Sequence, residues 1–211
     1  MRDRLRAGVA VYNAGRYHAA HDAWEDHWLG LESGTDDERF LHGLIQFTAA
    51  VHHARHANWS GATGLADSAG EYLADLPPEY RGVTLGTVRA WLGDLRTDPE
   101  VIERRSPPAL RVDGVALAPA DLDLAATGHA AAVLAEADGY DAAVLADAAR
   151  YARADVAADV ASSPVLALLF DFVREPADRA IVFERLAGHV DRRRSRETDV
   201  DGLFDGASGN P

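Results

Sequence analysis

The 211-residue sequence contains neither cysteine nor lysine, and each absence excludes a class of chemistry. Without cysteine the chain forms no disulfide, offers no thiolate nucleophile and builds no structural zinc site from thiolates. A metal ion would therefore depend on nitrogen and oxygen ligands, which leaves only an open, reactive kind of site. Without lysine, all 21 basic side chains are arginine.

The missing lysine is accompanied by strong acidity. Asp and Glu together number 34, Asp outnumbers Glu by 23 to 11, and the net charge is −13. In molar salt the Debye length falls to about 3 Å, so carboxylates repel one another weakly and mainly hold water. We interpret this composition as that of a cytosolic protein from an extreme halophile. GC-rich codon usage, the alternative, accounts for the 41 alanines but not for the complete loss of lysine.

Charge and hydropathy also bear on partners and location. The charge of −13 argues against nucleic acid, but a salt adaptation removes that argument and leaves nucleic acid open. No window approaches 18 uncharged apolar residues, and no apolar segment follows the basic Met1–Arg6. We therefore expect a cytoplasmic protein whose partner is a small molecule or another protein and not a membrane. The sequence leaves the oligomeric state open.

Apolar residues recur with the helical period over most of the chain, which predicts an all-α fold. The first half predicts a bundle of about five helices. The third begins at a capping box formed by Thr35 and Glu38, and the fourth is capped by Ser60 and closed by Pro77-Pro78. The five predicted helices span residues 3–14, 17–29, 36–57, 60–76 and 84–95.

Prolines after Asp98 mark a boundary between two segments. Next, Asp113-Gly114 lies between apolar β-branched residues and predicts a short β-hairpin over 110–117. We therefore divide the chain into a helical domain, a helical extension and an acidic, Gly-rich tail that we expect to be disordered. These three parts span residues 1–98, 99–195 and 196–211. The helices predicted within the extension span residues 119–137, 141–160, 164–173 and 176–193.

Histidine is the one residue type with a strongly uneven distribution. Seven of the nine histidines lie between His18 and His56. At 100° per residue, one face of the second helix carries two histidines, a glutamate and large aromatic rings. His21 and Glu25 are i, i+4 neighbours on that face, so their side chains can meet. The functional candidates on this face are His18, His21, Trp24, Glu25 and Trp28.

The third helix is apolar nearly all round, which is typical of the centre of a bundle. Its remaining stripe carries His42, Gln46 and His53, with alanines that leave room for the Trp24 and Trp28 indoles opposite. The short connection over 30–35 predicts that helices two and three are antiparallel neighbours. We therefore expect His21 and Glu25 to approach Gln46 and His53. A helical wheel of each helix also predicts that His52 lies in the core and that His27 is exposed.

Three interpretations of this constellation stay open. Its members can form a buried hydrogen-bond network in which Glu25 orients His21 and Gln46 satisfies His53. Alternatively, His21, Glu25 and His53 can bind a divalent metal, zinc or iron, because two histidines and a carboxylate are a known ligand set. Thirdly, the site can be free of metal and bind a small anionic or polar ligand, or use His21 as a general acid or base whose tautomer Glu25 sets. No organic cofactor follows from the sequence.

The combined motif is more specific than His-x3-Glu alone. His21, Glu25 and Trp28 are followed by Phe-Leu-His-Gly-Leu-Ile-Gln over 40–46, and then by His53 and Asn58. This pattern resembles the prokaryotic family called domain of unknown function 309. His42 stands where the family usually has Gln, Ala57 where it has Gly, and Asp22 where Glu is common.

That resemblance covers about residues 7–76 and says nothing of the chain beyond 98. It implies an all-helical fold with an unassigned activity, so it supports a site without naming a reaction. Two function classes are therefore carried forward. One is a metal-assisted hydrolase or related lyase that uses His21, Glu25 and His53. The other is a non-enzymatic helical binding or scaffold module in which the same polar cluster fixes the packing of the core.

Overall fold

A computed structural model describes residues 1–205 of the chain, and the predicted all-α class is confirmed. A short 3₁₀ turn over Pro119–Asp121 precedes the second group of helices. Among the described helices, none combines the length and apolarity needed to cross a membrane. The α-helices in chain order are α1 (Arg2–Asn13), α2 (Tyr17–Trp28), α3 (Asp36–Arg55), α4 (Trp59–Ala74), α5 (Leu85–Thr97), α6 (Val101–Arg104), α7 (Leu124–Asp138), α8 (Ala142–Ala157), α9 (Pro164–Arg174) and α10 (Arg179–Asp205).

The bounds of α3 and α4 follow from their caps. The Thr35 hydroxyl accepts a hydrogen bond from the Glu38 amide at 3.3 Å, as the capping-box spacing predicts. The cap of α4 is Asn58, whose side-chain oxygen accepts from the Gly61 amide at 3.0 Å. The prediction of Ser60 as this cap was wrong by two residues, because α4 begins at Trp59 and the Asn58 side chain satisfies a free amide of its first turn.

The core is organised around α3. Phe40, Leu44, Phe47 and Val51 are completely buried, and α3 packs against α2 on one side and α4 on the other. In addition, α7 packs against both α1 and α2. The predicted segments 1–98 and 99–195 therefore contribute to one continuous cluster of buried apolar side chains. The domain boundary near residue 98 stays a prediction.

The two-stranded hairpin lies elsewhere than predicted. Its strands are β1 (Glu79–Tyr80) and β2 (Val83–Thr84), which pair in antiparallel register. At the predicted position, Asp113 and Gly114 do form a tight turn with positive φ angles of 52° and 78°. The ladder beyond that turn consists of a single bridge, Val112 to Val115.

A side chain from α1 explains why the second ladder stops. The Asn13 amide donates to the carbonyls of Leu110 and Leu117 at 2.9 and 2.8 Å, and its oxygen accepts from the Leu110 amide at 2.8 Å. These are the backbone groups that a longer hairpin would pair with each other. The carbonyls and the amide are satisfied instead by one asparagine that is remote in sequence, so local turn chemistry could not predict the outcome.

The segment predicted as a disordered tail is helical as far as the structure describes it. Helix α10 continues through Asp205, and residues 206–211 lie outside the described part of the chain. The Glu197 carboxylate accepts hydrogen bonds from Arg150 and from the Tyr151 hydroxyl, the latter at 2.7 Å. These contacts with α8 order the start of the predicted tail.

The contact between α1 and α2 is unusually close. Trp24 is completely buried, and its indole N–H donates to the Arg4 carbonyl at 3.2 Å. The indole lies over Gly8, where a Cβ atom would come within 2.2 Å of Nε1. The sequence predicted that Trp24 fills the alanine stripe of α3, but its N–H end is held by the backbone of α1.

The Gly8 contact generates a stability prediction. Gly8→Ala should lower the free energy of unfolding by about 1–3 kcal/mol, because the rigid indole has to move. Gly64→Ala is the matched control in the interior of α4, where a Cβ atom would meet nothing within 4 Å. It should raise stability by about 0.5–1 kcal/mol through helix propensity. Urea unfolding of both variants checks this; equal stabilisation of both would contradict it.

Candidate functional site

The predicted constellation on α2 and α3 separates into two groups at opposite ends of the helix pair. The start of α2 meets the end of α3, where the His18 and His52 rings lie 5.5 Å apart. The end of α2 meets the start of α3, where the Trp28 and His42 rings lie 4.4 Å apart. This confirms the antiparallel arrangement, and it also separates residues that the sequence grouped together.

The first group, which we call the buried cluster, consists of Trp28, Glu38, His42, Gln46 and Tyr72. The Trp28 indole N–H donates to Glu38 Oε1 at 2.9 Å, and this bond lowers the pKa of the Glu38 carboxyl. The Gln46 amide and His42 Nε2 lie 2.9 Å apart, and the Tyr72 ring packs on the His42 ring at 4.0 Å. Gln46 therefore contacts His42. The sequence had predicted that it satisfies His53.

Glu38 is the member of the buried cluster that sequence reasoning missed. It was interpreted only as the second half of a capping box, but its carboxylate reaches the Gly34 amide at 3.3 Å and the Trp28 indole. Its i, i+4 relation to His42, whose Nδ1 lies 3.5 Å from Oε1, could have indicated the second role. The side chains of Glu38 and His42 are only 13% and 18% exposed, so this cluster is largely shielded from solvent.

The second group, which we call the histidine cluster, consists of His18, His21, His52, His53 and His56. Asp22 connects two of them: it lies 2.9 Å from His21 Nδ1 and 3.1 Å from His18 Nδ1. The hydrogen bond to Asp22 raises the pKa of the His21 imidazole. Glu25 was expected to orient His21, but it lies 4.0 Å from Nδ1 and is the more distant carboxylate.

His21, Asp22 and Glu25 form a candidate metal centre. Their ligand atoms all lie within 4.8 Å of one another, and all three side chains are partly exposed. The distances of 2.9 and 4.0 Å from His21 Nδ1 to the two carboxylates bracket the separation of about 3.4 Å that neighbouring ligands of a tetrahedral zinc ion require. The residue pattern therefore fits a divalent ion after small side-chain rotations.

Asp22 was not among the predicted ligands, although its position next to His21 and four residues after His18 could have indicated it. His53, which was predicted as a ligand, is not a member of this three-residue group. Its Nδ1 accepts a hydrogen bond from the Asn58 amide at 2.8 Å. His53 and His21 do line the same cavity of about 200 Å³, together with His18, Ala49 and His52.

A wider cleft of about 490 Å³ adjoins that cavity and shares His18 and His52 with it. It lies between the start of α2, the end of α3 and α7. His52 was predicted as a core residue, but it is partly exposed and lines both spaces. Its pKa is lowered by partial burial and by the neighbouring imidazoles of His56, His18 and His53. His27, which was expected to be exposed, is half-buried.

Comparison with known proteins places these residues in a family context. Residues 5–65 match the model of a family described as "Domain of unknown function (DUF309)". An uncharacterized protein of Aquifex aeolicus (strain VF5) is 27% identical over 107 residues. That alignment covers 51% of this chain and 31% of the relative, so the chain spans about a third of the length of the curated relative that it matches. Neither comparison assigns an activity.

The buried cluster generates a second stability prediction. Trp28→Phe keeps the ring but removes the N–H that Glu38 accepts, which should cost about 1–3 kcal/mol of unfolding free energy. Trp59→Phe is the matched control, since within the described residues the Trp59 indole donates to no protein acceptor; it should change stability by less than about 0.5 kcal/mol. Chemical denaturation compares the two. If they were equally stable, the buried cluster would not be a structural network.

Proposed function

We propose that this chain binds a divalent transition-metal ion through His21, Asp22 and Glu25 and uses it in a hydrolytic reaction. The observation that supports the proposal is the convergence of one imidazole and two carboxylates within 4.8 Å at the edge of an open cavity. Zinc and iron are the candidate ions, because imidazole and carboxylate ligands suit both. His53, facing His21 across the cavity, remains a candidate fourth ligand from α3.

The chemistry of such a centre follows from its unfilled positions. Three protein ligands leave room for water, and zinc lowers the pKa of a bound water to about 7. The ion would supply a nucleophile at neutral pH, which a chain without cysteine does not obtain from a thiolate. The histidines that line the cavity would exchange protons with the reacting groups.

Metal affinity generates the third prediction. Zinc binding to untagged, metal-free protein should weaken roughly tenfold or more in His21→Ala and in Glu25→Gln, because each variant removes a ligand. His27→Ala, on the same helix but outside the three-residue group, should bind as the wild type does. Isothermal titration calorimetry measures the affinities, and element analysis of native-source protein identifies the ion. A wild type that binds neither zinc nor iron would contradict the proposal.

The pH dependence of binding is the fourth prediction. A metal displaces the proton that His21 Nδ1 shares with Asp22, and that hydrogen bond raises the pKa of His21. Zinc affinity should therefore be constant above this raised pKa and fall about tenfold per pH unit below it. Asp22→Asn replaces the charged acceptor by a neutral one and should move the onset of the loss to lower pH. An onset that stays in place would show that protonation of His21 does not limit metal binding.

The second candidate function is a non-enzymatic helical binding module, and the buried cluster favours it. There a histidine, a glutamate and an indole are held by contacts within the protein, namely the hydrogen bond from Trp28 to Glu38 and the contact between Gln46 and His42. We also propose that the acidic composition is a salt adaptation of a cytoplasmic protein. Unfolding and zinc titrations should therefore be carried out both at low salt and in molar potassium chloride, where such a protein should be more stable.

A further inference from the structure

The wider cleft departs from the acidic composition of the chain. The chain carries a net charge of −13, yet the cleft contains two arginines and three imidazoles against two carboxylates. Both Asp22 oxygens already accept hydrogen bonds from imidazoles, and Glu136 is exposed at the rim. The charged and titratable residues that line the cleft are Arg16, His18, Asp22, His52, Arg55, His56 and Glu136.

Arg55 differs from most arginines of the chain. Arg16, on the other side of the cleft, is paired with Asp138. The Arg55 guanidinium lies 5.8 Å from the centre of the Tyr17 ring, and within the described residues it forms no ion pair with a carboxylate. An arginine that stacks on a ring beside a cleft offers its planar fork of N–H donors to an external anion.

The imidazoles add free ring nitrogens on the same wall. His56 Nδ1 donates to the His52 carbonyl at 2.8 Å, which leaves its Nε2 for a ligand. His18 Nδ1 is engaged with Asp22, so its Nε2 is left in the same way. The His52 ring lies between these two, 4.3 Å from the His56 ring and 5.5 Å from the His18 ring.

From this arrangement we infer that the cleft binds the phosphate group of a small phosphorylated molecule, through Arg55, His52 and His56. The arginine side chain recognises phosphate by charge-assisted hydrogen bonds, and a neutral imidazole adds a hydrogen bond through a free ring nitrogen. The cleft volume of about 490 Å³ lies within the range of small-molecule sites and exceeds what a free phosphate ion fills.

The phosphate site also bears on the substrate class, and this step rests on the proposed function. Asp22 lines the cleft and belongs to the candidate metal centre, so a phosphate held beside Arg55 would lie next to the ion. A phosphate ester is the substrate that a metal and an arginine would activate together. Phosphate binding itself needs no metal. An experiment that refutes the metal site therefore does not refute the phosphate site, and the reverse also holds.

The test is a calorimetric titration of untagged protein in EDTA at low salt, with glycerol 1-phosphate, inorganic phosphate and glycerol as probes. Glycerol 1-phosphate should bind more tightly than inorganic phosphate, and glycerol should not bind. Arg55→Gln should weaken binding roughly tenfold or more, and His52→Gln should weaken it less. The control is Arg185→Gln on α10, an exposed arginine outside the residues that line the cleft, which should bind as the wild type does.

Three outcomes would overturn the inference. They are a wild type that binds neither phosphate probe, an Arg55→Gln variant that binds as well as the wild type, and equal weakening by Arg185→Gln. Equal affinity for both phosphate probes would refute the small-molecule ligand and point to free phosphate. Circular dichroism and thermal unfolding confirm that each variant is folded. Metal loading plays no part in these titrations, so a failed zinc experiment leaves their result intact.

Discussion

The packing of α2 along α3 is the constraint on which both polar clusters depend. Because α3 is buried on nearly all sides, its neighbours have to lie along it, and the short connection makes α2 run antiparallel. Antiparallel packing brings the first turns of α2 to the last turns of α3. His18 and His21 therefore meet His52 and His53 at one end, while Trp28 meets His42 at the other.

The two ends of this helix pair differ in what covers them. At the Trp28 end, Tyr72 of α4 lies on the His42 ring, and the Gln46 amide contacts His42 Nε2, while His42 Nδ1 and Gln46 Oε1 are buried without a hydrogen-bond partner among the described residues. At the His18 end, α3 stops at Arg55, and Ala57 adopts a positive φ of 54° before Asn58 caps α4. The chain turns away at that point, so the histidines face a cavity and a cleft instead of a neighbouring helix. The same residue type is structural at one end and available to ligands at the other.

Arginine takes a structural role in much of the rest of the molecule. Asp155, the one buried carboxylate among the described residues, accepts two hydrogen bonds from Arg193 and one from Ser163, and these bonds lower its pKa. Such pairs use the planar fork that lysine lacks. Beside Arg55 a tyrosine ring takes the place of a carboxylate. The charge pattern of the cleft is therefore a local exception to the acidic surface.

Local sequence patterns were sufficient for the helices, because helical periodicity and capping act within a few residues. The Thr35 cap, the apolar α3 and the Asp113-Gly114 turn all follow from neighbours in the chain. The absence of cysteine likewise determined that any metal must use nitrogen and oxygen ligands. The pairing of helices two and three was also predictable, since the short connection between them leaves little choice.

Only the tertiary structure decided which polar groups meet. Asn13, about a hundred residues away in sequence, ends the ladder of the second hairpin. The Trp24 indole is held by the backbone of α1, although the sequence pattern predicted that it packs against α3. The partner of His21 is Asp22 and not the predicted Glu25, and Glu38 lies beside His42. These pairings depend on side-chain length and rotamer, because a difference of about one ångström decides whether a hydrogen bond forms. A helical wheel assigns residues to a face, but hydrogen bonding and burial depend on what lies opposite, which is set by the whole fold.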